Sequence, residues 1–149
     1  MELLEICKEY THIYTDGLKD GRRTVAAAAV SSGKTLTKRL PDHASIFSAE
    51  SQAILLAIDI AKQSSNTKIL ILSDSLSCLQ SVQNRNLNNP FILSITTDIH
   101  TLIESGKQIF IMWMPSHVGL SGNSAADEEP LSIKQHPGEP YHIRTSNLL

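Results

Sequence analysis

The sequence predicts an α/β fold with a mixed sheet, an antiparallel edge followed by parallel strands joined by helical crossovers. Three observations carry this reading. Residues 24–31 and 34–40 flank Ser32-Gly33, a hairpin turn signal. The apolar run at 67–73 reads as a buried central strand. Helical periodicity then occupies the stretches between and after the later strands.

In chain order, residues 1–10 read as an incoming helix or a linker remnant. Ile13 and Tyr14 begin a short strand that runs into Asp16-Gly17. With 24–31 and 34–40 it makes an antiparallel meander. The next segment, SAESQAILLAIDIAKQ, is helical: Ala49, Ala53, Leu56, Ala57 and Ile60 recur at helical spacing, and Ser48 is placed to cap its start. The strand at 67–73 is followed by a helix from Ser75 to about Gln83, with Leu76, Leu79 and Val82 on one face. A loop covers Asn84 to Pro90, and a further helix runs from about Phe91 to Glu104 and stops at Gly106. Residues 108–114 make a last strand, and a Gly- and Ser-rich loop leads to a short helical start at Ala125–Glu129. Pro130, Pro137, Gly138 and Pro140 then break any long helix, so residues 131–149 are expected to be an irregular tail outside a domain spanning 11–130.

The chain's 149 residues amount to one domain, and 41% hydrophobic with 19% charged residues supports a packed core. No apolar run approaches a membrane span. The start, MELLEICKEY, lacks the basic, apolar and small-residue pattern of a secretory signal. Cys7 and Cys78 form neither a disulfide framework nor a zinc motif. An intracellular protein, cytoplasmic or nuclear and not secreted, is therefore expected. The net charge is −2 and the pI about 6.3, which argues against tight nucleic-acid binding by the isolated domain. Its bases come in small groups: Lys19, Arg22 and Arg23; Lys34, Lys38 and Arg39; Lys62 and Lys68.

Four acids stand out at element boundaries. Asp16 precedes a glycine, and Asp-Gly alone is an ordinary turn. Glu50 lies in the first turn of its helix, favourable against the dipole, yet beside the buried stripe of Ala49 and Ala53. A carboxylate there is costly without a cation. Asp74 ends the apolar strand, where an N-cap role is the plain alternative. Asp127 follows a Gly-rich loop at a helix start, again compatible with capping. Individually these are weak signals. Together, two strand ends and a helix packed on the same sheet can bring three acids to one surface. Clustered carboxylates repel unless cations bridge them, and hard oxygen donors favour Mg²⁺ or Mn²⁺ over zinc.

The segments YTDGLKDG, LPDHASIFSAESQAILLAI, ILILSDSLSCLQSV and IMWMPSHVGLSGNSAADE, from Tyr14 to Glu128, resemble the type-1 ribonuclease H family, most closely the domains of retrotransposons that lack long terminal repeats. The last is the most specific: Trp113 and Pro115, then His117-Val118-Gly119, Gly122-Asn123 and Ala126-Asp127. The resemblance implies a five-stranded mixed sheet, three antiparallel strands then two parallel, with helices on both faces. It implies that Asp16, Glu50, Asp74 and Asp127 bind metal, as Mg²⁺ or Mn²⁺, two ions with substrate bound. It implies that His117 assists catalysis or product release, and that the RNA strand of an RNA–DNA hybrid is hydrolysed to a 5′-phosphate and a 3′-hydroxyl. A covalently linked reverse transcriptase in a parent polypeptide is an implied partner, and no membrane is. Asn123 reads as a loop-fixing residue, and Trp113 and Met114 as core.

Three residues depart from the family pattern. Leu18 follows Asp-Gly where a small residue is usual, Leu76 replaces a polar residue two after the third acid, and Pro130 interrupts the last helix. The leucines bear on hybrid selectivity, which rests on hydrogen bonds to the 2′-hydroxyl. Two functions follow: an active hybrid-specific endonuclease, favoured by the intact acids and His117, or a degenerate retroelement fragment that keeps the fold and binds nucleic acid weakly or not at all, favoured by these departures.

Overall fold

The computed structural model describes residues 8–22, 24–115 and 142–144. The strands are β1 (Thr11–Lys19), β2 (Val25–Ser31), β3 (Lys34–Leu40), β4 (Lys68–Ser73), β5 (Gln108–Trp113) and β6 (His142–Arg144). The helices are α1 (Ile46–Gln63), α2 (Leu76–Gln83) and α3 (Pro90–Glu104). The sheet order is β3-β2-β1-β4-β5-β6. β1, β2 and β3 pair antiparallel, whereas β1, β4 and β5 pair parallel. The mixed five-stranded sheet expected from the sequence is present, and β6 adds an antiparallel strand beside β5.

That sixth strand differs from the irregular tail expected over 131–149. The prolines that forbid a long helix all precede His142. An extended segment needs no helix-forming sequence, and the outer edge of β5 offers it unpaired backbone groups. The helical start expected at Ala125–Glu129 lies outside the described residues.

The first strand also runs further than expected. Asp16-Gly17 does not turn the chain; β1 continues to Lys19. The reversal falls on the second Asp-Gly pair, where the Asp20 carboxylate accepts from the Arg22 and Thr24 backbone N–H groups at 2.9 Å each. The hairpin between β2 and β3 turns at Ser32-Gly33 as expected, with Gly33 at φ 74°, a conformation that glycine adopts without steric cost.

The helix starts show why each forms where it does. α1 is capped by Ser45, not Ser48: the Ser48 N–H donates to Ser45 Oγ at 3.0 Å. The helix thus begins at Ile46, and its first turn contains no acid. α2 is capped by Ser75, whose Oγ accepts from the Cys78 N–H at 3.3 Å. α3 is capped by Asn89, with Pro90 in its first turn, where a missing N–H costs nothing.

α1 is buried nearly all round, with Ala49, Ala53, Ala57 and Ala61 fully enclosed. Such a helix belongs at the centre of a core. The main core joins α1, α2 and α3 to Ile13, Ala27, Ile69, Ile71, Ile109 and Ile111 of the sheet. The alternate residues Leu70, Leu72, Met112 and Met114 form a second cluster on the opposite face. β4 is therefore buried on both sides, as its uninterrupted apolar run requires. Among the described residues, no helix is long and apolar enough to cross a membrane.

Ser45→Ala should lower stability by about 1 kcal/mol through loss of the cap. Ser48→Ala should stay within about 0.5 kcal/mol of the parent. Urea denaturation of the two variants checks this, and the reverse order would return the cap to Ser48.

Candidate metal centre

β1 and β4 lie side by side only as far as the pair Tyr14 and Leu72. Beyond it, β1 stays with β2 while β4 ends and the chain turns into α2. The two strands part at their carboxyl ends, the place where open sheets form a crevice. Asp16 and Asp74 each stand two residues past the last paired position on their own strand. The Thr15 hydroxyl donates to the Leu72 carbonyl at 2.8 Å, closing the sheet just below the opening.

Glu50 enters the crevice from α1, in the second helical turn. It is only 7% exposed, so a solvated first-turn acid is not what it is. Its placement depends on Gly17. A Cβ at that position would stand 2.6 Å from the Glu50 nitrogen and 2.8 Å from the Ala49 carbonyl carbon. The strand touches the helix backbone where Gly17 has no side chain, and the Gly17 backbone N–H donates to the Glu50 carboxylate.

Asp74 is free of capping duty because Ser75 takes it. Its main chain is fixed from both sides. Trp113 Nε1 donates to the Asp74 carbonyl at 3.2 Å, and the Met114 N–H donates to the Ser73 carbonyl at 2.9 Å. The buried Ser73 hydroxyl accepts from the Ser75 N–H at 3.1 Å.

The result is that one carboxylate oxygen from each of Asp16, Glu50 and Asp74 lies within 4.8 Å of the others. Glu50 Oε2 and Asp74 Oδ1 are buried without any hydrogen-bond donor. Orphaned acceptors of this kind are costly, and a divalent cation with a preference for hard oxygen satisfies both. The donor set therefore fits Mg²⁺ or Mn²⁺. The electrostatics agree: burial, the facing Asp74 carboxylate and then Asp16 push the Glu50 carboxyl up to about 8, against the lowering effect of the Gly17 N–H. Protonation and a bound cation are alternative ways to relieve the same repulsion.

The structure thus brings together Asp16, Glu50 and Asp74. His117, Asn123 and Asp127 lie outside the described residues. Gly17 and Trp113 carry positioning roles that pattern reading assigns to a turn and to the core. The signal for Gly17 was present: a second Asp-Gly pair four residues later is sufficient to reverse the chain. No comparable signal marks Trp113, since an indole hydrogen bond to a backbone carbonyl depends on the register of β4 against β5.

The ribonuclease H family model matches residues 8–131. The chain is 32% identical over 130 residues to the Pol polyprotein of equine infectious anemia virus (isolate 1369), covering 86% of this chain and 11% of that protein. It is 30% identical over 133 residues to the Pol polyprotein of the Wyoming strain, with the same two shares. It is 28% identical over 151 residues to the Gag-Pol polyprotein of bovine immunodeficiency virus (strain R29), covering 91% of this chain and 10% of that protein. The chain spans about a tenth of the length of these relatives.

Gly17→Ala should cost about 1–3 kcal/mol by overpacking strand against helix, and should weaken Mg²⁺ binding about tenfold or more by displacing Glu50. Calorimetric titration alongside thermal melting checks both effects. In chelator, the Glu50 carboxyl titrates at about 8 in the folded chain and near 4.5 when unfolded. The folded state therefore binds the extra proton between these values, and stability should fall as pH rises through that window. Glu50→Gln should flatten the profile in denaturant titrations at pH 5, 7 and 8.5.

Proposed function

The chain belongs to the ribonuclease H family, and from that premise we propose that it is an endonuclease that hydrolyses the RNA strand of RNA–DNA hybrids with divalent cations. The observation that carries this reading is the convergence of Asp16, Glu50 and Asp74 on one crevice, with buried oxygens that lack donors. The same convergence favours an active enzyme over a degenerate fragment.

In this mechanism Asp16, Glu50 and Asp74, joined by Asp127, would hold two Mg²⁺ ions, with Mn²⁺ as a substitute. When bound, the ions would supply Lewis-acid activation of water and neutralisation of phosphoryl charge. The protein's own part is positional. Gly17 lets Glu50 reach the crevice and orients its carboxylate by a backbone N–H. Trp113 and Met114 lock the chain on either side of Asp74, so the acid does not have to reorganise as the substrate arrives. His117 moves a proton near the leaving group, a role suited to imidazole near neutral pH. Water attack leaves a 5′-phosphate and a 3′-hydroxyl.

The charge distribution supports cation-mediated substrate capture. Lys68 is paired with Glu9 at 2.6 Å, and Lys62 lies 3.6 Å from Asp98 and 3.9 Å from Asp59. Lys19 Nζ donates to the Ala44 carbonyl at 3.1 Å. Several of the bases that look like nucleic-acid contacts in the sequence thus have partners in the fold. A larger polypeptide, of retroelement origin and carrying a reverse transcriptase, would supply further affinity, and the protein would act inside the cell, in cytoplasm or nucleus.

A labelled RNA–DNA hybrid should be cut in Mg²⁺ or Mn²⁺ and spared in chelator. Asp74→Asn and Glu50→Gln should each lower kcat by at least about a hundredfold. Cleavage that survives chelation, or that is unchanged by Asp74→Asn, would defeat the assignment.

A further inference from the structure

Behind the acids, in the core, α1 and α2 are joined by a buried polar link. The Cys78 thiol donates to the Phe47 carbonyl, from one helix to the other, at 3.6 Å. Ser51 Oγ stands 3.3 Å from the same sulfur. Ser51 and Cys78 are both fully enclosed. Burial pushes the thiol above its ordinary range, and the Glu50 and Asp74 carboxylates push the same way, so the sulfur keeps its hydrogen. That one hydrogen is spent on the Phe47 carbonyl. The Ser51 hydroxyl is therefore the donor to the sulfur, and the link runs Ser51 O–H to Cys78 S–H to Phe47 C=O. Buried polar groups require partners of this kind. The placement of the link ties it to the acids. Glu50 lies within the helical turn Phe47–Ser51, next to Ser51. Asp74 directly precedes Ser75, whose Oγ accepts from the Cys78 N–H at 3.3 Å. One end of the link thus holds the turn that carries Glu50, and the other holds the cap that follows Asp74. The link works against repulsion. Glu50 Oε2 and Asp74 Oδ1 both lack a hydrogen-bond donor, and facing carboxylates push each other apart.

We propose that Ser51 and Cys78 are positioning residues for the metal centre, a buried strut that keeps Glu50 and Asp74 at the narrow spacing a small cation needs. This rests on the metal reading above and deepens it by assigning what sets the ion preference. Mg²⁺ demands near-ideal octahedral geometry with oxygens at about 2.0–2.1 Å, whereas Ca²⁺ accepts flexible arrangements at about 2.3–2.6 Å. A centre whose acids drift apart loses its hold on the smaller ion first. An apolar side chain at position 78 fills the same space and cannot join the two helices by a hydrogen bond. The strut touches neither ion nor substrate, and acts only through the backbone that carries the two acids.

The test titrates Mg²⁺ and Ca²⁺ separately, by calorimetry, into the parent and into Cys78→Val, Ser51→Ala and Cys78→Ser. Valine is close to cysteine in volume. In Cys78→Val the freed Ser51 hydroxyl can bond the Phe47 carbonyl four residues back, so this variant should fold, with circular dichroism as the check. Cys78→Val and Ser51→Ala should each weaken Mg²⁺ binding about tenfold and Ca²⁺ binding no more than about twofold. Cys78→Ser keeps a hydrogen to donate and lone pairs to accept, and should recover most of the loss. A merely structural role would lower both affinities alike or neither. That result, or a serine no better than valine, overturns the proposal. Should the parent bind neither ion, the metal reading fails by itself. Crystals of the parent and of Cys78→Val in chelator then decide the strut. Glu50 and Asp74 carboxylates farther apart in the variant by more than about 0.5 Å support it, and a smaller change rejects it.

Discussion

The β1 backbone at Gly17 lies so near the α1 backbone that a Cβ there would stand 2.6 Å from the Glu50 nitrogen, and the crevice depends on this approach. A sheet normally keeps about 10 Å from a layer packed on it, because side chains fill the gap. Here one missing Cβ lets strand and helix main chains meet. The alanines of α1 extend the same principle along the helix, allowing it to sink into the sheet surface. The consequence is that a glutamate on a helix and an aspartate on a strand come within bonding reach of one ion. Both acids are carried by regular elements, Asp16 by β1 and Glu50 by α1.

The same closeness sets the site against the stability of the metal-free chain. Three carboxylates share a small volume, and the most enclosed of them holds its proton far above the usual carboxylate range. The surrounding scaffold has to be rigid enough to keep them there. β4 is buried on both faces, and its carboxyl end is held by the Thr15 hydroxyl, the Trp113 indole and the Met114 N–H. None of these groups is acidic, and all of them bond main-chain carbonyls. Fixing the backbone leaves Glu50 Oε2 and Asp74 Oδ1 open to a ligand, which is what a hard cation requires.

Much of the fold is legible in the sequence, because its signals are periodic and local. The apolar run of β4, the alternation across Ser32-Gly33 and the helical stripe of α1 each specify an element without reference to the others. The acid trio is legible for a related reason: the polar residues interrupt or end these patterns. What is not legible is contact between elements. The role of Gly17 as a spacer depends on a helix thirty residues away, and that of Trp113 on strand register. The cap of α1 at Ser45 rather than Ser48 turns on which of two nearby hydroxyls meets an N–H, and periodicity does not distinguish them. β6 eludes pattern reading too, since three residues are too few to show an alternation.

The pairing of β6 with β5 closes an edge of the sheet. Phe110, Ile111 and Met112 lie opposite Arg144, Ile143 and His142, so half of β5 has its outward main chain engaged within the same molecule. An open strand edge is a template for pairing with another chain. Three residues of β6 are enough to withdraw that invitation from the strand beside β4, whose apolar run would otherwise lie one strand from a free edge.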